Sequence, residues 1–128
     1  MLIRKSAEDY LESILMLREA KGSCHSVDIA ADLNFSKASV SVAMKKLREN
    51  GYIVMEHDGE IVLTESGMEI AQKVYQRHRT LTDFFVRLGV DPKVAAEDAC
   101  KVEHDLSEET FQCLLEHARR HSKPRTED

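Results

Sequence analysis

The sequence has no tryptophan, two prolines, five glycines and three cysteines in 128 residues, and only 5% of it is aromatic. So little glycine and proline excludes collagen-like, low-complexity and loop-dominated chains. Cys24, Cys100 and Cys113 are odd in number and contain no Cys-x-x-Cys pair. A disulfide scaffold is therefore not expected, and a reducing compartment, the cytoplasm, is. No window approaches the roughly 18–20 apolar residues of a membrane span, so no membrane partner is expected. The opening Met1-Leu2-Ile3-Arg4-Lys5-Ser6 has no apolar h-region, and no secretory signal is expected either. The length suits one domain or two small ones sharing a core. Ala, Leu, Glu, Lys, Met and Arg are abundant, which predicts a mainly α fold. A net charge of −5 disfavours nucleic acid as a partner on its face. The distribution of that charge qualifies this.

Residues Ser6 to Lys21 predict a first helix. Ser6 is the expected cap, and Glu8, Asp9 and Glu12 lie in the early turns, where the helix dipole favours carboxylates. Tyr10, Ile14 and Leu17 recur at helical spacing, with Leu11 and Leu15 widening the apolar face. Ser26 to Leu33 predicts a short second helix capped by Ser26. After the break Asn34-Phe35-Ser36, Lys37 to Asn50 predicts a third, with Val40, Met44 and Leu47 inward and Gly51 as the stop. Strand-like runs at 52–56 and 60–64 flank His57-Asp58-Gly59, a hairpin signal that puts Ile53 and Met55 in phase with Ile61 and Leu63.

Thr64-Glu65-Ser66-Gly67 opens a long helix to about Leu88. Its stripe of Ile70, Val74, His78, Leu81, Phe85 and Leu88 is a seam for another helix. Asp91-Pro92 starts a helix to about His104, and Ser107 caps a last one to about Arg120. The polar tail, His121 to Asp128, is expected to fray. The natural division falls near Leu63, giving a helix-helix-helix-hairpin half at 1–63 and an all-helical half at 64–128.

Three helices followed by a hairpin is the order of a winged helix-turn-helix. The third helix would then enter the major groove of double-stranded DNA with its N-terminal residues on base edges. Those are Ser36, Lys37, Ala38 and Ser39, with Ser41 and Val42 a turn on and Lys45 and Lys46 beyond. They are small, polar or cationic, which suits close approach to bases and phosphates. Lys37, Lys45, Lys46 and Arg48 face a single acid, Glu49, so this helix is basic within an acidic chain. Taken alone, such lysines would be the solvated face of a packed helix. The whole order of elements carries the DNA-binding reading.

A second signal is chemical. Cys100, Glu103 and His104 have spacing i, i+3, i+4, one face of a helix, and offer a thiolate, a carboxylate and an imidazole. Asp9 and Glu12 form an i, i+3 pair on the first helix, and His78 stands in the apolar stripe of the long one. Each piece has an ordinary structural explanation: a satisfied core histidine, a cysteine acting as a small hydrophobe, charge at a helix N-terminus. The triplet reads equally as a ligand plate for a metal.

The sequence resembles the metal-dependent repressors related to the diphtheria toxin repressor and the manganese transport regulator. The resemblance covers nearly the whole chain. It is carried by Glu8-Asp9-Tyr10-Leu11-Glu12, by Val27-Asp28-Ile29-Ala30 with Ser39-Val40, by Leu63-Thr64-x-x-Gly67, and by Arg77-His78. The run Asp98-Ala99-Cys100-Lys101-Val102-Glu103-His104-x-Leu106-Ser107 completes it. It implies an N-terminal winged helix-turn-helix plus a C-terminal helical dimerisation domain, working as a homodimer on a DNA operator. It places the metal ligands on Asp9, Glu12, His78, Cys100, Glu103 and His104. Manganese-type members share the Asp9 and Glu12 types but carry a carboxylate at the position of Cys100. Iron-type members share Cys100-x-x-Glu103-His104 but have methionine at the position of Asp9, and an additional C-terminal barrel, which is not expected here. The site is thus a hybrid. Its donors fit Fe(II) or Mn(II), with Cys100 tilting toward iron, while Zn, Co and Ni should also bind in vitro.

These ligands come from both halves of the chain. A cation that joins them would set the spacing of two recognition helices, for which half-sites one DNA turn apart need about 34–36 Å. The implied output is repression of metal-uptake genes. A metal-independent winged-helix regulator is the competing reading. A small metalloenzyme is disfavoured, because hydrolytic sites keep an open position that so crowded a donor set would not leave.

Overall fold

The computed structural model describes residues 5–121. Its order is α1 (Lys5–Lys21), α2 (Ser26–Leu33), α3 (Lys37–Glu49), β1 (Ile53–Met55), β2 (Ile61–Leu63), α4 (Glu65–Arg87), α5 (Pro92–Val102) and α6 (Glu108–His121). The chain divides into two compact units, one up to Val74 and one from Tyr75, so the division falls within α4. The expectation of a frayed tail after His121 lies outside the described residues.

In the first unit α1 packs on α2, α3 and β2, and α3 packs on α2 and β1. Leu11, Ile14, Ile29, Val40, Met44, Ile53 and Ile61 are among its most deeply buried apolar residues. The helices end and begin as local chemistry requires. Asn34 closes α2 in the left-handed region (φ 58°), which asparagine tolerates, and its N–H reaches the Ala30 carbonyl. Ser36 then caps α3, its Oγ accepting from the Ser39 N–H at 3.1 Å. That short connection is the turn of a helix-turn-helix.

Two expected caps move. Ser6 lies inside α1, which already includes Lys5. The N-cap of α2 is His25, not Ser26, because Asp28 folds back and its carboxylate accepts from the His25 N–H at 2.9 Å. That bond, and a second from Lys21, hold the Asp28 carboxyl below its ordinary range.

The strands pair antiparallel in the expected register, Ile53 with Leu63 and Met55 with Ile61. Gly59 takes φ 86° at the hairpin tip, where a side chain would be strained. The base of this wing is anchored. Arg18 of α1 donates to the Glu60 carboxylate at 2.7 Å and to the Ile61 carbonyl at 3.0 Å, and the Ile61 N–H reaches the Cys24 carbonyl at 2.8 Å.

Thr64 turns the wing into α4. Its Oγ donates to the Gly51 carbonyl at 2.7 Å and accepts from the Gly67 N–H at 3.2 Å. Gly67 is required by the same corner, since a Cβ there would sit 2.0 Å from the Tyr52 carbonyl oxygen.

In the second unit Leu81, Ala95, Ala99 and Phe111 are buried. Asp91 caps α5 as expected, accepting from the N–H groups of Lys93 and Val94, and Ser107 accepts from the Thr110 N–H ahead of α6. The seam of α4 differs in detail. Ala71, Val74 and Leu81 are buried, Ile70, His78 and Phe85 half-buried, and Leu88, just past the last helical residue, is 67% exposed.

Candidate metal centre and nucleic-acid interface

The C-terminal end of α5 organises the centre. The helix stops at Val102, two residues before the expected His104; Glu103 is its C-cap and His104 lies in the turn that follows. Glu103 keeps helical angles and its N–H bonds the Ala99 carbonyl, so the i, i+3 relation to Cys100 survives. The turn is held from α4. The Arg77 guanidinium, 12% exposed, donates to the carbonyls of Glu103 (3.0 Å) and Leu106 (2.8 Å) and to the Glu108 carboxylate (3.0 Å). It also lies over the Phe111 ring, 5.1 Å from its centroid. The Glu103 carbonyl belongs to the unsatisfied end of α5 and needs such a donor.

The next residue on α4 is His78, whose Nδ1 lies 2.8 Å from Glu103 Oε1. Ligand atoms of His78, Cys100 and Glu103 all fall within 4.8 Å of one another. His104 is placed beside the other carboxylate oxygen, its Nε2 3.8 Å from Glu103 Oε2. Glu103 is 1% exposed, and Oε2 makes no hydrogen bond among the described residues. A buried carboxylate oxygen in that condition is costly and calls for an explanation. A divalent cation supplies one, and the imidazole, thiol and carboxylate are donors that iron, manganese or zinc accept.

Asp9 and Glu12 belong to the first unit, on α1. Glu12 is 6% exposed and Asp9 half-buried. Ser13, beside Glu12, donates to the Asp32 carboxylate at 2.7 Å and so ties this stretch of α1 to α2.

The nucleic-acid face is simpler. Ser36, Lys37, Ala38, Ser39, Ser41, Val42, Lys45 and Lys46 are all exposed, while Val40, Met44 and Leu47 of the same helix are buried. The helix therefore presents one continuous small, polar and basic side to solvent. Ser36 has a second duty as cap.

Sequence reasoning missed the Arg77 clamp. Arg77 is adjacent to a candidate ligand, but its partners at 103, 106 and 108 are far along the chain, and no local pattern announces them. Of the cysteines outside the centre, Cys24 is buried, whereas Cys113 is exposed on α6.

A helix-turn-helix with a wing, joined to helices that gather metal donors, defines a DNA-binding regulator with a metal-capable centre. Residues 2–61 match the model of the iron dependent repressor N-terminal DNA binding domain, and residues 64–123 match that of the iron dependent repressor metal binding and dimerisation domain. The chain belongs to the iron-dependent repressor family, whose members are metal-responsive, DNA-binding transcriptional repressors. It is 41% identical over 112 residues to an HTH-type transcriptional regulator of Methanocaldococcus jannaschii, covering 86% of this chain and 90% of that one. It is 35% identical over 118 residues to the transcriptional regulator MntR of Salmonella typhimurium, covering 92% and 75%. A solved manganese-dependent transcriptional repressor, in complex with manganese, superposes with a TM-score of 0.79 at 28% identity over 87% of this chain. The chain spans about half the length of that solved protein, 51%. Among the described residues no helix is long and apolar enough to cross a membrane.

Proposed function

We propose that this chain is a metal-activated repressor that senses Fe(II) or Mn(II), acts as a homodimer in the cytoplasm and controls genes of metal uptake. The observation that carries this reading is the meeting of ligand atoms of His78, Cys100 and Glu103 within 4.8 Å of one another, on a buried carboxylate whose Oε2 makes no hydrogen bond among the described residues. The manganese held by the solved relative supports it.

Asp9, Glu12, His78, Cys100, Glu103 and His104 are the residues that would hold the ion. A bound cation supplies positive charge that lets these carboxylates and a thiolate share one place. Asp9 and Glu12 belong to the DNA-binding unit, and the other four to the helical unit. Arg77 holds the turn that carries Glu103 and His104. Lys37, Lys45 and Lys46 contact phosphates, while Ala38, Ser39, Ser41 and Val42 approach base edges and Ser36 steadies the start of the helix. Cys100, a soft donor where manganese-type members place a carboxylate, inclines the site toward iron. Zinc, cobalt and nickel bind it in vitro.

The test is an anaerobic titration of operator DNA at fixed salt, first with chelator and then with Fe(II) and Mn(II) in turn. The candidate operators are the promoter of this chain's own gene and that of a neighbouring metal transporter. Either metal should raise DNA affinity, and the stronger one names the signal. Affinity unchanged by both would leave a metal-independent winged-helix regulator.

A further inference from the structure

His117 and His121 take no part in the centre described above. They stand one turn apart on α6, with rings stacked 4.1 Å between centroids and 29° between planes. His121 Nδ1 lies 2.9 Å from the His117 backbone oxygen. A carbonyl oxygen only accepts, so Nδ1 carries the hydrogen, and the neutral ring keeps its lone pair on Nε2. Metal-binding histidines are oriented in this way, with the second ring nitrogen donating to a carbonyl or carboxylate. His117 is braced by Phe84 of α4, edge to face at 6.4 Å and 81°.

Both histidines open onto a cavity of about 470 Å³ between α4 and α6, which Asp83 and Phe84 also line. Arg87 and Arg119 line it as well, and Arg119 is engaged with Glu116 at 3.3 Å. The cavity is thus lined by two imidazoles on α6 and a carboxylate on α4. Two histidines at i and i+4 are an arrangement by which a single helix grips a transition metal. With one carboxylate added, the donor types are those of a three-ligand zinc site.

We propose that His117 and His121, completed by Asp83, form a second divalent-cation site for nitrogen-preferring ions such as Ni(II), Zn(II) and Cu(II). It shares no residue with the His78–Cys100–Glu103 centre. Affinity of nitrogen donors rises from manganese toward copper, so Mn(II) is the ion this site holds least well. Asp83 is exposed on α4 and lines the same cavity, whereas Cys113 is two turns of α6 away from His121, about 12 Å along the axis, and cannot join both histidines on one ion.

The experiment is calorimetric titration of the chelator-stripped full chain with Ni(II) and separately with Mn(II), comparing wild type, His121→Gln and Asp83→Asn. Imidazole signals are followed by NMR as Ni(II) is added. Wild type should take up one Ni(II) per chain that His121→Gln binds at least about tenfold more weakly. The signals of His117 and His121 should broaden with that ion, Asp83→Asn should weaken it too, and the Mn(II) isotherms should coincide. His121 is exposed near the end of the helix, and unchanged far-ultraviolet circular dichroism checks that the variant folds. Equal Ni(II) stoichiometry and affinity in wild type and His121→Gln would overturn the site, and unchanged affinity in Asp83→Asn would remove its third donor. Loss of the Fe(II) or Mn(II) effect on DNA binding would count against the main function and leave these isotherms as they are.

Discussion

Cys24 and Cys100 are one residue type in opposite surroundings. Burial, and then the nearby Asp28 carboxylate, push the Cys24 thiol up from its ordinary 9.0 to about 11. The folded chain therefore holds this proton after the unfolded chain has released it. Stability from this site is complete below about pH 9 and is lost as pH rises toward about 11, by up to about 3 kcal/mol. Tyr10, raised by burial and then by Asp9, acts in the same sense. Urea unfolding across that window should show a shallower alkaline decline in Cys24→Ala than in wild type, whatever the variant's stability at neutral pH. Cys100 is exposed and faces His78 and Glu103. Cys100→Ser should weaken binding of Fe(II), Co(II) and Zn(II) by more than it weakens Mn(II), since the hydroxyl replaces a soft donor by a hard one. Equal losses for all four in competition titrations would show that Cys100 is not a ligand. Arg77 acts through others. Arg77→Met keeps most of the apolar stem but strips the carbonyls of Glu103 and Leu106 of their donor. Metal affinity measured well below the melting temperature should fall about 10–100-fold, and Arg77→Lys should recover part of it. A loss of melting temperature with metal affinity intact would make Arg77 a stabilising residue only.

At the scale of elements, the corner between wing and α4 is the least forgiving part of the first unit. Gly67 meets backbone rather than a movable side chain: a Cβ at this position would stand 2.0 Å from the Tyr52 carbonyl oxygen and 3.0 Å from its carbon. Gly67→Ala should cost about 3 kcal/mol or more, above the usual range for overpacking, because neither α4 nor β1 can yield without the other. Thermal unfolding measures this directly. The start of α3 depends on a weaker device, the Ser36 hydroxyl on the Ser39 N–H. The element positions were largely legible in the sequence because their causes are local. Alternation with period two set the hairpin register, Asp91 and Ser107 announced their helices, and the basic side of α3 followed from its buried positions. The end of α5 was not legible, since the residue that takes up the Glu103 carbonyl, Arg77, lies on another helix. The α2 cap was misplaced for a related reason: His25 has no strong capping side chain, and Asp28 supplies the carboxylate from the third position inside.

For the whole molecule, the proposed ligand set draws donors from each of the two units. Asp9→Ala should then leave helicity and melting of the metal-free chain nearly unchanged while abolishing the metal-dependent gain in DNA affinity. Retained stimulation in the DNA titration would separate the first unit from metal sensing. Where the coupling holds it is reciprocal, so operator DNA must tighten metal binding by the same factor that metal tightens DNA binding. By itself the sequence determined the mainly helical class, the winged helix-turn-helix order and the types of donor available, because propensity, periodicity and capping act over a few residues. Only the tertiary structure decided that His78 meets Glu103 and Cys100, that Glu103 is buried with one oxygen lacking a hydrogen bond among the described residues, and that His117 and His121 share a cavity with Asp83. Those groups lie on different elements, and packing of the helices, which no short-range pattern encodes, brings them within reach of one another.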